Sequence, residues 1–275
     1  MSYSDLCNRI SEAICQILIL DKDQNPVSAG SGVFVEGGYL YSASHVFCDL
    51  DNNDKRYGKY TLVRINDYLF NLDGKWSGPI RIHTDKTQLR KIPVDVFMYE
   101  PFEIPDLINP LPLASDFVEV GTECIIAGYT DEIDKPLQFD KYFETRNPDM
   151  TKVKEEFQDG LQNYFRPCMY KKCMIGSIQP INLNDPINKI SIEGREYWTD
   201  KHLTYGGSGG PVVNLEGELL GIISRKGLTS ASKLGIRSID QSGVKSVEKL
   251  PSGTGLALSH ELITDAIDVG LLSAT

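Results

Sequence analysis

The segment Gly206-Gly207-Ser208-Gly209-Gly210-Pro211 sets one serine among four glycines and a proline, and the apolar run Val212–Ser224 comes directly after it. Glycine serves where the backbone needs positive φ or where something must approach it closely. A serine on such a turn can present its hydroxyl outward with backbone N–H groups aimed beside it, which joins a nucleophile to an oxyanion site. A glycine-rich hairpin turn is the plainer reading of a bare G-x-S-G fragment. A serine hydroxyl is a weak nucleophile at neutral pH and needs a base. Imidazole suits that role because it titrates near neutrality, and the chain has four histidines, His45, His83, His202 and His260. In Ile92-Pro-Val-Asp-Val-Phe-Met-Tyr99 an aspartate, Asp95, lies inside an apolar run. A buried carboxylate is costly unless paired, so Asp95 is either a strand-edge or turn residue or the partner of a cation.

Taken together, G-G-S-G-G-P with its adjoining strand and the stretch G-S-G-V-F-V…S-A-S-H-V (residues 30–46) resemble the trypsin-like (chymotrypsin-fold) serine proteases, especially the bacterial branch containing the HtrA peptidases. That resemblance implies the chain order His, Asp, Ser, and it covers about residues 12–268. It singles out His45 as the base and Ser208 as the nucleophile. Asp95 becomes the orienting carboxylate, favoured over Asp85 and Asp106 because Pro110–Tyr129 resembles the segment after the family's aspartate. The backbone N–H groups of Gly206 and Ser208 would form the oxyanion hole. Ser224 would open the substrate-binding strand near Asp95. His202, six positions before the nucleophile, would lie at the floor of the primary pocket, with Gly227 and Gly255 in its walls. A histidine there does not favour Arg or Lys before the scissile bond; a neutral residue fits better, or an acidic one if His202 is charged. No metal or organic cofactor is required.

Position 207 carries a further implication. The digestive-type enzymes place an aspartate immediately before the nucleophile, where a newly cut N-terminus pairs with it. Here that position is Gly207, so activation by N-terminal cleavage and insertion is not expected. Glycine at both 206 and 207 also predicts an easily displaced turn, with the Gly206 N–H turned away from the hole.

Composition narrows the partners. The chain has 275 residues and a net charge of −10, against nucleic acid or an anionic membrane surface as the main partner. No apolar run reaches transmembrane length, and the first residues lack the charged and apolar regions of a secretion signal. Six cysteines, Cys7, Cys15, Cys48, Cys124, Cys168 and Cys173, form no C-x-x-C pair. Free thiols in a reducing cytoplasm are therefore expected, with Cys168 and Cys173 a candidate pair under oxidation. The expected partners are a protein or peptide substrate and a restraining or activating protein.

The elements that must position these groups are mostly strands. Leu6, Ile10 and Ile14 give a short helix over 3–14. Strands are expected at 14–20, 29–36 and 39–43, the last delivering His45, and then near 60–70 and 77–84. Residues 49–60 and 228–250 read as loops. Val212–Ser224 reads as a hairpin turning at 215–218, and 252–258 as a strand. The long interval before Ser208 holds a predicted helical insertion at 150–165. Ser259 would cap a last helix, 259–272, with Leu262, Ile263, Ala266 and Ile267 as its apolar stripe. The expected fold is all-β, one domain of two six-stranded antiparallel β-barrels with short terminal helices. Residues 12–115 make the first barrel and 116–257 the second. Two other functions compete: a catalytically silent binding module on the same fold, and an esterase, which ranks last because the chain lacks the α/β alternation and the strand-to-helix G-x-S-x-G elbow of typical lipases.

Overall fold

Helix α1 (Tyr3–Ser11) starts at a capping box, in which the Ser2 hydroxyl accepts from the Asp5 N–H while the Asp5 carboxylate accepts from the Ser2 N–H. It buries Leu6 and Ile10 and stops three residues short of the expected end, because Ile14 opens strand β1 (Ile14–Leu20) opposite Val33. The computed structural model describes residues 1–49, 55–66, 68–83, 91–101, 103–131, 166–230, 238–239, 245–246 and 249–272. The helix expected at 150–165 lies outside them.

In the first half, β2 (Pro26–Val35) and β3 (Tyr39–Ser42) form a hairpin that turns on Gly37 and Gly38, both at positive φ. Eight short strands come next: β4 (Cys48–Asp49), β5 (Lys55–Arg56), β6 (Tyr60–Ile65), β7 (Tyr68–Asn71), β8 (Gly74–Ser77), β9 (Ile80–His83), β10 (Lys91–Val94) and β11 (Phe97–Pro101). Seven of the strands β1–β11 make one curled sheet in the order β7-β6-β1-β2-β3-β11-β8, with β9 and β10 paired beside it. That is one strand more than expected, since 60–84 divides into four strands. In the second half, β12 (Glu123–Tyr129), β13 (Cys168–Asp185), β14 (Ile190–Thr199), β15 (Pro211–Asn214), β16 (Leu219–Ser230) and β19 (Lys249–Ser259) close a six-stranded barrel in the order β12-β13-β14-β19-β16-β15. The architecture is thus the chymotrypsin-like all-β arrangement of two curled sheets. Residues 228–250 are not simply a loop. β16 and β19 stay paired out to Ser230 and Lys249, and β17 (Ser238–Ile239) pairs with β18 (Lys245–Ser246) beyond them.

Alternation along the strands decides which core each residue enters. On β12, Cys124 and Ile126 point into the second barrel with Ile175, Tyr197, Val212 and Ala257. Ile125, Ala127 and Tyr129 point the other way, into a core shared with Ile14, Val33 and Tyr41 of the first sheet. The two halves are therefore joined by a common apolar core. Helix α3 (Glu261–Asp268) docks on it through Leu262, Ile263 and Ala266. Its N-cap is His260 and not Ser259: the Ser259 hydroxyl accepts from the Arg195 N–H at 2.9 Å and closes β19 instead.

All six cysteines are free. Cys168 and Cys173 sit five residues apart on one extended strand, about 16 Å by strand rise, which excludes the pairing considered from sequence. Cys173 instead faces Cys124 across the β12–β13 register, Sγ to Sγ 3.4 Å. Burial pushes the Cys168 thiol up to about 11.

Candidate active site

Where β3 ends, the chain takes one helical turn, α2 (Ser44–Phe47), and it is this turn that carries His45. Ser44 and Phe47 fasten it. The Ser44 hydroxyl donates to the Val96 carbonyl. The Phe47 ring stacks on Phe97, centroids 3.9 Å apart. Both contacts reach the segment after Asp95, which lies at the bend between β10 and β11. The same packing therefore places His45 and Asp95 together. Asp95, 4% exposed, accepts from the His45 backbone N–H through Oδ1 (2.9 Å) and meets His45 Nδ1 through Oδ2 (2.8 Å). The buried Ser224 hydroxyl donates to the same Oδ2 at 2.6 Å. Three contacts thus satisfy the buried carboxylate and orient the ring. A carboxylate on Nδ1 leaves the proton there and makes Nε2 the basic nitrogen. Ser208 lines the same cleft as His45, and its hydroxyl forms no hydrogen bond among the described residues.

The turn before Ser208 is fixed by its neighbours. The Gly207 N–H donates to the Thr204 carbonyl (3.1 Å), and Gly206 in the third position has φ +90°, as a type II turn requires. A Cβ at Gly206 would collide with the Tyr129 carbonyl. The Tyr205 carbonyl accepts from the Asp131 N–H at 3.0 Å. In a trans peptide the C=O and N–H point oppositely, so this bond sets the direction of the Gly206 N–H. The Thr204 hydroxyl adds a 2.5 Å bond to Asp131 Oδ1. From the first half, the buried Ser31 hydroxyl donates to the Gly206 carbonyl (2.7 Å) and accepts from the Tyr129 N–H (2.9 Å). The N–H groups of Gly206 and Ser208 have no acceptor among the described residues. The turn is thus held at several points, although two consecutive glycines predict one that is easily displaced.

The cleft encloses about 400 Å³. Besides His45 and Ser208 it is lined by Gly206, Leu203 and Tyr205, by Ile223, Arg225 and Lys226 of β16, and by Gln16, Tyr129, Asp131 and Arg166. His202, Gly227 and Gly255 are not among its lining residues. Gly255 packs against Thr199, Lys201 and His202, and Gly227 against Ser252 and Thr254. The His202 carbonyl accepts from Lys171 Nζ at 2.9 Å. Among the described residues no cluster of His, Cys, Asp or Glu is placed to hold a metal, and no helix is long and apolar enough to cross a membrane.

Sequence reasoning brought together His45, Asp95 and Ser224 and put Ser208 on the same cleft. It missed Asp131, Arg166, Arg225 and Lys226. Arg225 and Lys226 come directly after Ser224, so their position was a usable signal. Ser31 sat inside the G-S-G-V-F-V stretch without a role assigned. No pattern marked Asp131.

The family model for Trypsin matches residues 15–238, a span that contains His45, Asp95 and Ser208. The chain belongs to the trypsin family. As such it is a serine endopeptidase by family. No curated protein matches it. Among solved structures it is similar to the active form of the Rv3671c protease from M. tuberculosis, at 16% identity over 98% of this chain and 85% of that one, TM-score 0.57. It is similar to the HtrA-type protease AlgW with a tripeptide, at 16% identity over 98% of this chain and 64% of that one, TM-score 0.57. It is also similar to the serine endoprotease from Yersinia pestis, at 16% identity over 98% and 66%, TM-score 0.54.

Proposed function

We propose that this trypsin-family chain cleaves peptide bonds with Ser208 as nucleophile, His45 as general base and acid, and Asp95 as the carboxylate that holds His45. Ser208 Oγ attacks the scissile carbonyl while His45 Nε2 takes its proton. The oxyanion is met by the N–H groups of Gly206 and Ser208. His45 returns the proton to the leaving amine, and water then enters by the same base to release the acyl group. The observation that carries this reading is the two-point hold of Asp95 on His45, at 2.9 and 2.8 Å. It orients the His45 ring in a cleft that Ser208 also lines.

Gly207 offers no carboxylate to a cut N-terminus. Ser31 and Asp131 supply the anchoring instead, so the site needs no N-terminal insertion. The six unpaired cysteines support a reducing, cytoplasmic setting. There the enzyme acts on a protein partner or in a stress or defence response, under restraint by a second protein.

The test is peptide hydrolysis by Asp95→Asn. With the ring no longer held in the right tautomer, kcat falls by about 10⁴-fold while the fold persists by circular dichroism. Retention of wild-type turnover would remove Asp95 from the mechanism.

A further inference from the structure

The chain as a whole is acidic, at net −10, yet its active-site cleft is not. Among the described residues three cations line it, Arg166, Arg225 and Lys226, against one carboxylate, Asp131, which already accepts the Thr204 hydroxyl. Arg225 and Lys226 come after Ser224 on β16, the residue whose hydroxyl reaches Asp95. Ser224 is buried and Arg225 exposed, and the register of β16 with β19 shifts between Ile223 and Arg225 and again between Lys226 and Leu228. Lys226 leans across the cleft mouth with Nζ 4.4 Å from the centre of the Tyr205 ring, on the turn that precedes Ser208. Arg166 stands on the wall formed with β1. Its N–H donates to Gln16 Oε1 at 3.2 Å and its carbonyl accepts from Arg64 Nη2 at 2.5 Å. No carboxylate among the described residues pairs with the side chains of Arg166 or Arg225.

An acidic protein repels acidic peptides at a distance, and a cleft of the opposite sign reverses this locally because low-dielectric walls focus the field. Guanidinium groups favour carboxylates through paired, directional N–H donors. From this we infer that the cleft takes peptides bearing Asp or Glu within about three residues of the scissile bond, with Arg225 and Lys226 receiving one side and Arg166 the other. The inference rests on the proposed catalytic function for its word "scissile". The charge recognition itself does not depend on turnover.

The test therefore separates binding from cleavage. Ser208→Ala protein is titrated with fluorescent peptides that carry Glu near the centre and with their Gln isosteres, in low and high salt. The expected result is affinity about tenfold higher for the Glu peptides at low ionic strength, shrinking as salt screens the pairs. The same preference is expected in kcat/KM of the unmutated enzyme across a position-scanned peptide library. In Arg166→Gln/Arg225→Gln/Lys226→Gln protein, shown folded by its melting temperature, the ratio should drop to near one. Equal binding of Glu and Gln peptides, or a ratio unaffected by the triple substitution, overturns the inference. Labelling of Ser208 by a fluorophosphonate without any acidic preference would leave the catalytic reading standing and sink this one. Acidic preference in binding with no cleavage by the unmutated chain would do the reverse.

Discussion

The backbone N–H of Ser31 donates to the carbonyl of Ser208 at 2.8 Å, across the junction of the two halves. The same residue binds the Gly206 carbonyl and the Tyr129 N–H through its hydroxyl. One buried serine of the first sheet thus ties the Ser208 turn of the second barrel to the first half. Replacing it with alanine removes the anchor on Gly206 and leaves the Tyr129 N–H unpaired in the interior. Ser31→Ala should therefore lose about 1–3 kcal/mol of stability and lower kcat more than it raises KM. Calorimetry and steady-state kinetics check this. Stability loss with unaltered kcat would confine Ser31 to packing.

Thr204 and Asp131 hold the other end of that turn. Thr204→Val keeps the shape and removes the 2.5 Å bond to Asp131. The expected outcome is a kcat lowered about tenfold with KM nearly constant, the equivalent of roughly 1.4 kcal/mol. Thr204→Ser should restore most of it. A change in KM alone would mean that the bond shapes substrate binding and not the oxyanion site.

His83 and Asp185 join the β9–β10 ribbon to the β13–β14 hairpin, with His83 Nδ1 and N–H 3.0 and 3.2 Å from Asp185 Oδ2. Burial alone would raise the Asp185 carboxyl. The Asn188 N–H, the His83 ring, and the His83 and Ile187 N–H groups outweigh it and hold the group well below the usual carboxylate range. A carboxyl depressed in the folded state stabilises the fold above its unfolded pKa, about 3.9, and that contribution fades as pH falls below it. The melting temperature of Asp185→Asn should therefore lie below that of the unmutated protein at neutral pH, with the gap narrowing below about pH 4. A gap independent of pH would contradict this origin.

Much of the site was legible because its chemistry is local. The turn around Ser208 needs glycine at positive φ, and Gly206 and Gly209 adopt it. Asp95 stood out as a charge in an apolar run, and its burial with three partners is the reason such a residue survives there. The hairpins at Gly37-Gly38 and at 215–218 arise from the same turn chemistry. Departures came where a side chain had a distant partner. Ser259 looked like a helix cap, but Arg195, 64 positions away, takes its hydroxyl. His45 was expected on a strand end, and long-range contacts of Ser44 and Phe47 wind that end into a helical turn. Asp131 is ordinary in sequence, and its hold on residues 204–206 exists only once β12 is paired with β15.

Catalysis by this chain requires Ser208 to be an activated nucleophile in the folded state. The direct measurement is labelling by a fluorophosphonate probe, read by intact mass and peptide mapping, in parallel for the unmutated protein, Ser208→Ala and His45→Ala. The predicted result is a single adduct on Ser208 in the unmutated chain, none in Ser208→Ala, and labelling slowed by orders of magnitude in His45→Ala. An adduct elsewhere, or equal labelling with His45 removed, would contradict it.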